Sequence, residues 1–92
     1  MELRHEPERH RFVAELPGGE AVLEYIEHGG TLDYRHTYTP PALRGRGIAK
    51  DLVSFALEYA RSEGLHVIPT CPYVAKIIRE NPDYAALIPQ RI

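Results

Sequence analysis

The sequence is poor in several features, and each shortage excludes a class of protein. It contains one cysteine, Cys71, so no disulfide can form within the chain. No apolar run approaches the roughly 20 residues of a membrane-spanning helix, and no signal or transit peptide is recognisable. The formal net charge is only −2, so the overall composition does not favour nucleic acid or an anionic membrane as a partner. These shortages predict a reducing, cytoplasmic setting and small-molecule partners.

The length and the hydrophobic content of the chain indicate one globular domain. The chain has 92 residues, and 43% of them are hydrophobic, which suffices for one core but not for two. We therefore expect a single domain over 1–92. Residues 1–10 alternate acidic and basic side chains with few apolar ones, so we expect that segment to be solvated and partly frayed.

Alternating apolar residues predict three antiparallel strands in the first half, over 11–16, 21–27 and 31–39, joined by glycine-containing turns. A strict period of two divides the third strand into two faces. One face then carries Leu32, Tyr34, His36 and Tyr38, and the other carries Asp33, Arg35, Thr37 and Thr39.

The second half changes to helical spacing. Pro40 and Pro41 end the third strand, and a 3.6-residue period then predicts a long helix from Ile48 to Gly64. A short strand over 65–69, parallel to strand three, and a short helix ending near 81–82 follow. The fold class is thus α+β: a mostly antiparallel sheet of about four strands with helices after strands three and four. The carboxyl ends of two neighbouring parallel strands open a crevice, where ligands tend to bind.

The loop between strand three and the long helix has the composition of an anion site. Gly45 and Gly47 let the backbone approach a ligand closely, and Arg44 and Arg46 supply positive charge beside the helix N-terminus. The loop is neither a Walker A sequence nor a dinucleotide-binding fingerprint. Judged by its residue spacing alone, the loop has a second interpretation: a glycine-rich turn with a purely structural role.

The sequence resembles a known family at this loop. Arg44-x-x-Gly47-x-Ala49 is similar to the Q/R-x-x-G-x-G/A acyl-CoA motif of the GNAT N-acetyltransferases. With His36-Thr37-x-x-Pro40 before it and Cys71-Pro72-Tyr73-Val74 and Asn81-Pro82-x-Tyr84 after it, the chain is most similar to their minimal, single-domain YjdJ-type (NATD1-like) subgroup.

The resemblance implies a three-layer GNAT-like fold, acetyl-CoA or CoA as co-substrate, and an amine acceptor. Backbone groups of the loop would bind the pyrophosphate, and the end of strand three would run beside the pantetheine arm. The predicted cofactor-binding residues are His36, Thr37, Tyr38, Thr39, Arg44, Gly45, Arg46, Gly47, Ile48, Ala49 and Tyr73. Unlike full-length members, this chain has no helices between its first two strands, where an acceptor pocket is usually shaped.

Cys71 and His36 are the catalytic candidates. The resemblance places Cys71 where the subgroup has its candidate catalytic cysteine, and a thiol at a helix start has a lowered pKa. It would take the acetyl group, help deprotonate or position the amine, or be a buried structural residue. His36 suits a general base, or is a strand histidine bonded within the sheet. The remaining histidines lack ligand-like spacing, so no metal is expected.

Two functions of different classes follow. The first is an acetyl-CoA-dependent N-acetyltransferase acting on an unidentified small-molecule or protein amine. The second is a non-catalytic acyl-CoA binding or protein-interaction module, favoured by the small size. RNA binding would need a wider basic stripe. We expect a monomer or a weak homodimer paired through the free hairpin edge.

Overall fold

The computed structural model describes residues 1–89, and its five strands form one sheet in the order β1-β2-β3-β4-β5. The strands are β1 (Glu2–Glu6), β2 (Arg11–Leu16), β3 (Gly19–His28), β4 (Thr31–Tyr38) and β5 (His66–Ile68). The helices are α1 (Ile48–Ser62) and α2 (Pro72–Glu80), and short 3-10 segments cover Pro7–Arg9, Pro41–Leu43 and Pro82–Leu87. Strands β1 to β4 form an antiparallel meander, and β5 lies parallel to β4, as the element order predicts.

The N-terminus differs from the sequence-based expectation. Residues Glu2–Glu6 form a fifth strand rather than a frayed segment, paired in register with β2. Two side chains explain it: Arg4 bonds the carboxylate of Glu15 on β2 at 2.6 Å, and the His5 ring stacks on Phe12 with centroids 4.3 Å apart. These contacts join residues distant in the chain, so alternation of apolar residues does not reveal them.

Helix α1 forms where its periodicity predicts. Gly47 precedes it in the left-handed region at φ 75°, and Asp51 N donates to Gly47 O at 3.1 Å to close the first turn. The helix ends where Leu65 N donates to Ala60 O at 2.9 Å across Gly64, whose φ is 68°. Its buried stripe consists of Ile48, Leu52, Val53, Ala56, Leu57 and Ala60.

One core lies between the sheet and both helices. Phe12, Leu23 and Tyr34 of the sheet are fully buried in it, and the Tyr34 hydroxyl donates to Ala56 O of α1 at 2.6 Å. Helix α2 adds its buried side chains to the same core. Within residues 1–89, α1 and α2 therefore pack on the same face of the sheet. Within residues 1–89 no helix combines the length and apolarity needed to cross a membrane.

A bulge in β4 changes which side chains share a face. Tyr25 pairs with Tyr34 and Glu24 pairs with His36, so Arg35 is the extra residue. Thr37, which pairs with the buried Leu23, consequently points to the helix side. The strict alternation expected from the sequence is wrong beyond Tyr34. A bulge depends on pairing with the next strand, and a single strand's residue pattern does not show it.

The two parallel strands, β4 and β5, separate after a short paired stretch. Strand β5 pairs with β4 only from Thr31 to Asp33, and Cys71 N then donates to Tyr34 O at 2.9 Å as the last backbone link. Beyond that point β4 continues to Tyr38 while the chain turns into α2. Among the described residues, this leaves an open gap beside the last four residues of β4.

Candidate active site

The strand-to-helix loop is shaped by two glycines. Gly45 and Gly47 have φ values of 82° and 75°, a region that side chains with a Cβ adopt at a cost. Backbone hydrogen bonds in the loop end with Arg44 N to Pro41 O and resume with Asp51 N to Gly47 O. Within residues 1–89, the N–H groups of 45–50 therefore donate to no backbone carbonyl. Free N–H groups at a helix N-terminus are a binding site for phosphate.

A cleft of about 240 Å³ lies against this loop. Its walls bring together residues that are far apart in sequence: the end of β4, the loop, the first turn of α1 and the start of α2. The lining residues are Thr39, Leu43, Arg44, Gly45, Gly47, Ile48, Ala49 and Tyr73. Besides Tyr73, six of the predicted cofactor-binding residues therefore line this one cleft: Thr39, Arg44, Gly45, Gly47, Ile48 and Ala49.

The two loop arginines are arranged differently. Arg44 turns back toward β4, where its Nε donates to Thr39 O at 2.8 Å and its guanidinium lies 5.9 Å from the centre of the Tyr38 ring. Arg46 is exposed and takes part in none of the ion pairs seen among the described residues. Arg44 therefore braces the loop against the strand, and Arg46 is the side chain available to an incoming anion.

Cys71 lies at the gap and begins α2. Its side chain is 5% exposed, and its Sγ lies 3.5 Å from the hydroxyl oxygen of Thr37 on β4. Burial raises the pKa of the thiol, but hydrogen bonds from the Thr37 hydroxyl and from the N–H groups of Val74, Tyr73 and Thr37 outweigh burial. The pKa of Cys71 is therefore below its ordinary value, because these donors stabilise the thiolate.

Thr37 is the partner that sequence reasoning does not assign to the thiol. The sequence predicts Thr37 only as a residue beside the cofactor, on the face away from Tyr34. The bulge turns it toward the helix side, where it meets Cys71. No local signal in the sequence identifies this contact.

The structure does not bring His36 to the thiol. His36 is exposed and pairs with Glu24 on the face of the sheet that carries no helix, as does Tyr38 with Val22. Cys71, by contrast, is buried in the core on the helix side. The two catalytic candidates thus lie on opposite faces, and the role of His36 as a base stays a prediction.

Tyr73 connects the start of α2 to the cleft. It follows Cys71 by two residues, is half-buried and lines the cleft. Burial, with the nearby charges of Glu80 and Asp51, raises the pKa of its hydroxyl, so the hydroxyl keeps its proton at neutral pH. In the part of the chain that the structure describes, no three metal-ligating side chains gather into a cation site.

A parallel strand pair that separates beside a glycine-rich helix N-terminus defines an acyl-CoA transferase fold of the GNAT type. Comparison with known proteins agrees, because the family model described as GCN5-related N-acetyl-transferase matches residues 11–87. The chain belongs to this family.

Individual relatives place it further within the family. Protein NATD1 of Xenopus tropicalis is 41% identical over 85 residues, which cover 89% of this chain and 78% of the relative. Protein NATD1 of Homo sapiens is 40% identical over 85 residues, covering 89% and 75%. A GCN5-like protein of Staphylococcus aureus solved by NMR superposes with a TM-score of 0.72 at 19% identity, covering 99% of this chain and 90% of that one. The resemblance to the minimal NATD1-like subgroup and the GNAT-like α+β fold are both confirmed.

Proposed function

We propose that this protein is an acetyl-CoA-dependent N-acetyltransferase. The observation that carries the proposal is the position of Cys71: a buried thiol of lowered pKa stands at the gap between β4 and β5, two residues before Tyr73, which lines the cleft beside the glycine loop. Family membership supports acyl transfer in general. The free N–H groups of the loop and exposed Arg46 suit the pyrophosphate of CoA.

The proposed reaction assigns one step to each group. The thiolate of Cys71 attacks the thioester carbonyl, the bond between that carbon and the CoA sulfur breaks, and the acetyl group moves to Sγ. The departing CoA thiolate takes a proton from the hydroxyl of Tyr73, which belongs to the cleft lining. A neutral amine then attacks the acetyl carbonyl, the bond between that carbon and Sγ breaks to restore the Cys71 thiolate, and the proton that the nitrogen loses as the amide forms returns to Tyr73.

Mass spectrometry of the protein incubated with acetyl-CoA and no amine tests the covalent step. We expect one acetyl group on the peptide that contains Cys71, and none in Cys71→Ala. If acetyl transfer to amines occurs without this adduct, direct attack by the amine replaces the covalent route, and Cys71 becomes a positioning residue.

Calorimetric titration with CoA tests the loop. We expect Arg46→Glu to weaken CoA binding by at least about tenfold, because it replaces an attractive charge by a repulsive one at the pyrophosphate. Arg9→Glu is the matched control, since Arg9 is exposed in the 3-10 turn between β1 and β2. No binding of CoA to the wild type, or equal binding by both variants, would contradict the proposed site.

The alternative function is a non-catalytic acyl-CoA binding module, which the small size of the chain favours. Binding of CoA without acetyl transfer to any of a panel of amines would support this alternative over the enzyme. The proposal also includes a reducing, cytoplasmic setting, because the reaction as written needs Cys71 as a free thiol.

A further inference from the structure

Leu43 lies where the proposed CoA-binding loop begins. It ends the 3-10 turn Pro41–Leu43, and its N–H closes that turn by donating to Pro40 O at 2.9 Å. Its side chain is only 3% exposed and belongs both to the core and to the lining of the cleft. Leu43 is therefore a buried anchor at the start of an exposed loop.

The hairpin turn between β2 and β3 lies against this anchor. A Cβ added to Gly18 would lie 3.8 Å from Cδ2 of Leu43. A Cβ added to Gly19 would lie 3.8 Å from Cδ1 of Leu43 and 3.5 Å from Cγ of Pro40. These are ordinary van der Waals distances, so alanine would fit at either glycine, but a larger side chain would press on the anchor.

Few other contacts fix the loop itself. Residues 44–47, between Leu43 and the buried Ile48, are all exposed. Over residues 1–89, the N–H groups of 45–50 donate to no backbone carbonyl, and the side-chain hydrogen bonds of 44–47 amount to the one from Arg44 to Thr39 O. The path of the loop as it leaves Leu43 therefore depends on where the Leu43 side chain is held.

The next hairpin turn of the sheet provides a contrast. Gly29 and Gly30 join β3 to β4, and both have positive φ, as do the two glycines of the first turn. A Cβ added to Gly29 or Gly30 would nevertheless meet nothing within 4 Å. The two turns have similar composition, but the β2–β3 turn packs near the start of the loop and the β3–β4 turn faces open space.

We propose that Gly18 and Gly19 form a seat that holds Leu43 and thereby positions the loop for the pyrophosphate of CoA. This inference rests on the proposed function for the identity of the ligand. A loop held in its binding conformation before the ligand arrives loses less conformational entropy on binding, so the seat raises affinity. Neither glycine belongs to the cleft lining, so both are positioning residues that act through Leu43.

Crowding the seat tests the proposal while the cleft lining stays unchanged. Gly19→Val should weaken CoA binding at least about tenfold in calorimetry. It should also shift the amide signals of Gly45 and Gly47 in the NMR spectrum of the free protein. Gly30→Val is the matched control, because it places the same side chain on a hairpin glycine of positive φ with nothing within 4 Å of its Cβ. The control should change neither measurement.

Emptying the seat is the second test, and it applies even if Gly19→Val does not fold. Leu43→Ala removes the anchor, and Leu87→Ala is its matched control, since Leu87 is also a buried leucine of a 3-10 segment and lies outside the cleft lining. Both should lower the urea midpoint similarly, but only Leu43→Ala should weaken CoA binding. In the free protein, ¹⁵N relaxation should show greater mobility of the Gly45 and Gly47 amides in Leu43→Ala alone.

Separate results distinguish the failure of this inference from the failure of the proposed function. Unchanged CoA affinity in a folded Gly19→Val protein, or unchanged loop amides in Leu43→Ala, would overturn the seat even if acetyl transfer occurs. In that case, any loss of affinity in Leu43→Ala would come from direct contact with the ligand. Absence of CoA binding by the wild type would refute the proposed function, whereas loop amides that respond only to the seat variants would still support the seat.

Discussion

The N-terminal half of the sheet and the edge formed by β4 and β5 differ in how completely their polar groups are paired. Arg4 lies within 3.9 Å of carboxylates from four glutamates, and His5 Nε2 lies 2.6 Å from the Tyr25 hydroxyl. At the other edge, strand pairing stops after three residues, and the loop N–H groups of 45–50 lack backbone partners within the described chain. The first region holds the fold together, and the second leaves groups free for a ligand.

Because of this difference, we expect substitutions in the two regions to change different properties of the protein. A substitution in the aromatic and ion-paired region should change stability more than ligand binding or turnover. A substitution at the gap or loop should do the opposite. Each of the following changes tests that separation.

Cys71→Ala should have the largest effect, on turnover alone. Loss of the proposed nucleophile should lower acetyl transfer at least about 100-fold, while CoA affinity stays within about twofold because the loop is untouched. Steady-state kinetics and calorimetry on the same preparation measure both. A Cys71→Ala protein that keeps its turnover would show that the thiol is structural.

Phe12→Ala should have the largest effect on stability. Phe12 is fully buried and its ring lies 5.3 Å from Tyr25 and 5.7 Å from Tyr34, centroid to centroid. Removing it should cost about 3–5 kcal/mol in the free energy of unfolding, measured by urea denaturation. A loss below about 1 kcal/mol would mean that this cluster contributes less than ordinary core packing.

Gly47→Ala should have a moderate effect on both properties. Its φ of 75° is unfavourable for alanine, which should cost about 1 kcal/mol in stability and displace the loop N–H groups. Gly64→Ala is the matched control, since its φ is 68° and an added Cβ meets nothing within 4 Å at either position. Both variants should lose similar stability, but only Gly47→Ala should weaken CoA binding. Equal CoA binding would place the ligand elsewhere.

The pH dependence of the thiol should show the smallest effect. Because the donors around Sγ lower the pKa of Cys71, its alkylation and the acetyl-transfer rate should persist to lower pH than for an ordinary cysteine. Thr37→Val removes the hydroxyl and should raise the midpoint, so that the thiolate is lost at a higher pH. The pH profile of the iodoacetamide reaction measures it. An unchanged midpoint would assign the lowered pKa to the backbone N–H groups alone.

Much of the fold follows from local pattern. The strands β2 to β4, the start of α1 at Ile48 and the glycine loop are all visible in the residue periodicity and the turn residues. Strand β1 is not, because its stability comes from Arg4 and His5 contacts to later strands. Of the candidate site, the sequence predicts the loop and Cys71, whose roles await the experiments above.

The sequence by itself determined the family, the order of elements and the residues of the loop, because these depend on short-range spacing and on the conformational freedom of glycine. Only the tertiary structure decided which side chains meet. The bulge at Arg35 turns Thr37 toward Cys71 and leaves His36 on the open face, since an extra residue in one strand shifts every side chain beyond it relative to the partner strand. It also decided that Ile26, Asp33 and Ile68 lie side by side on neighbouring strands, because register across three strands is set by long-range pairing rather than by any local pattern.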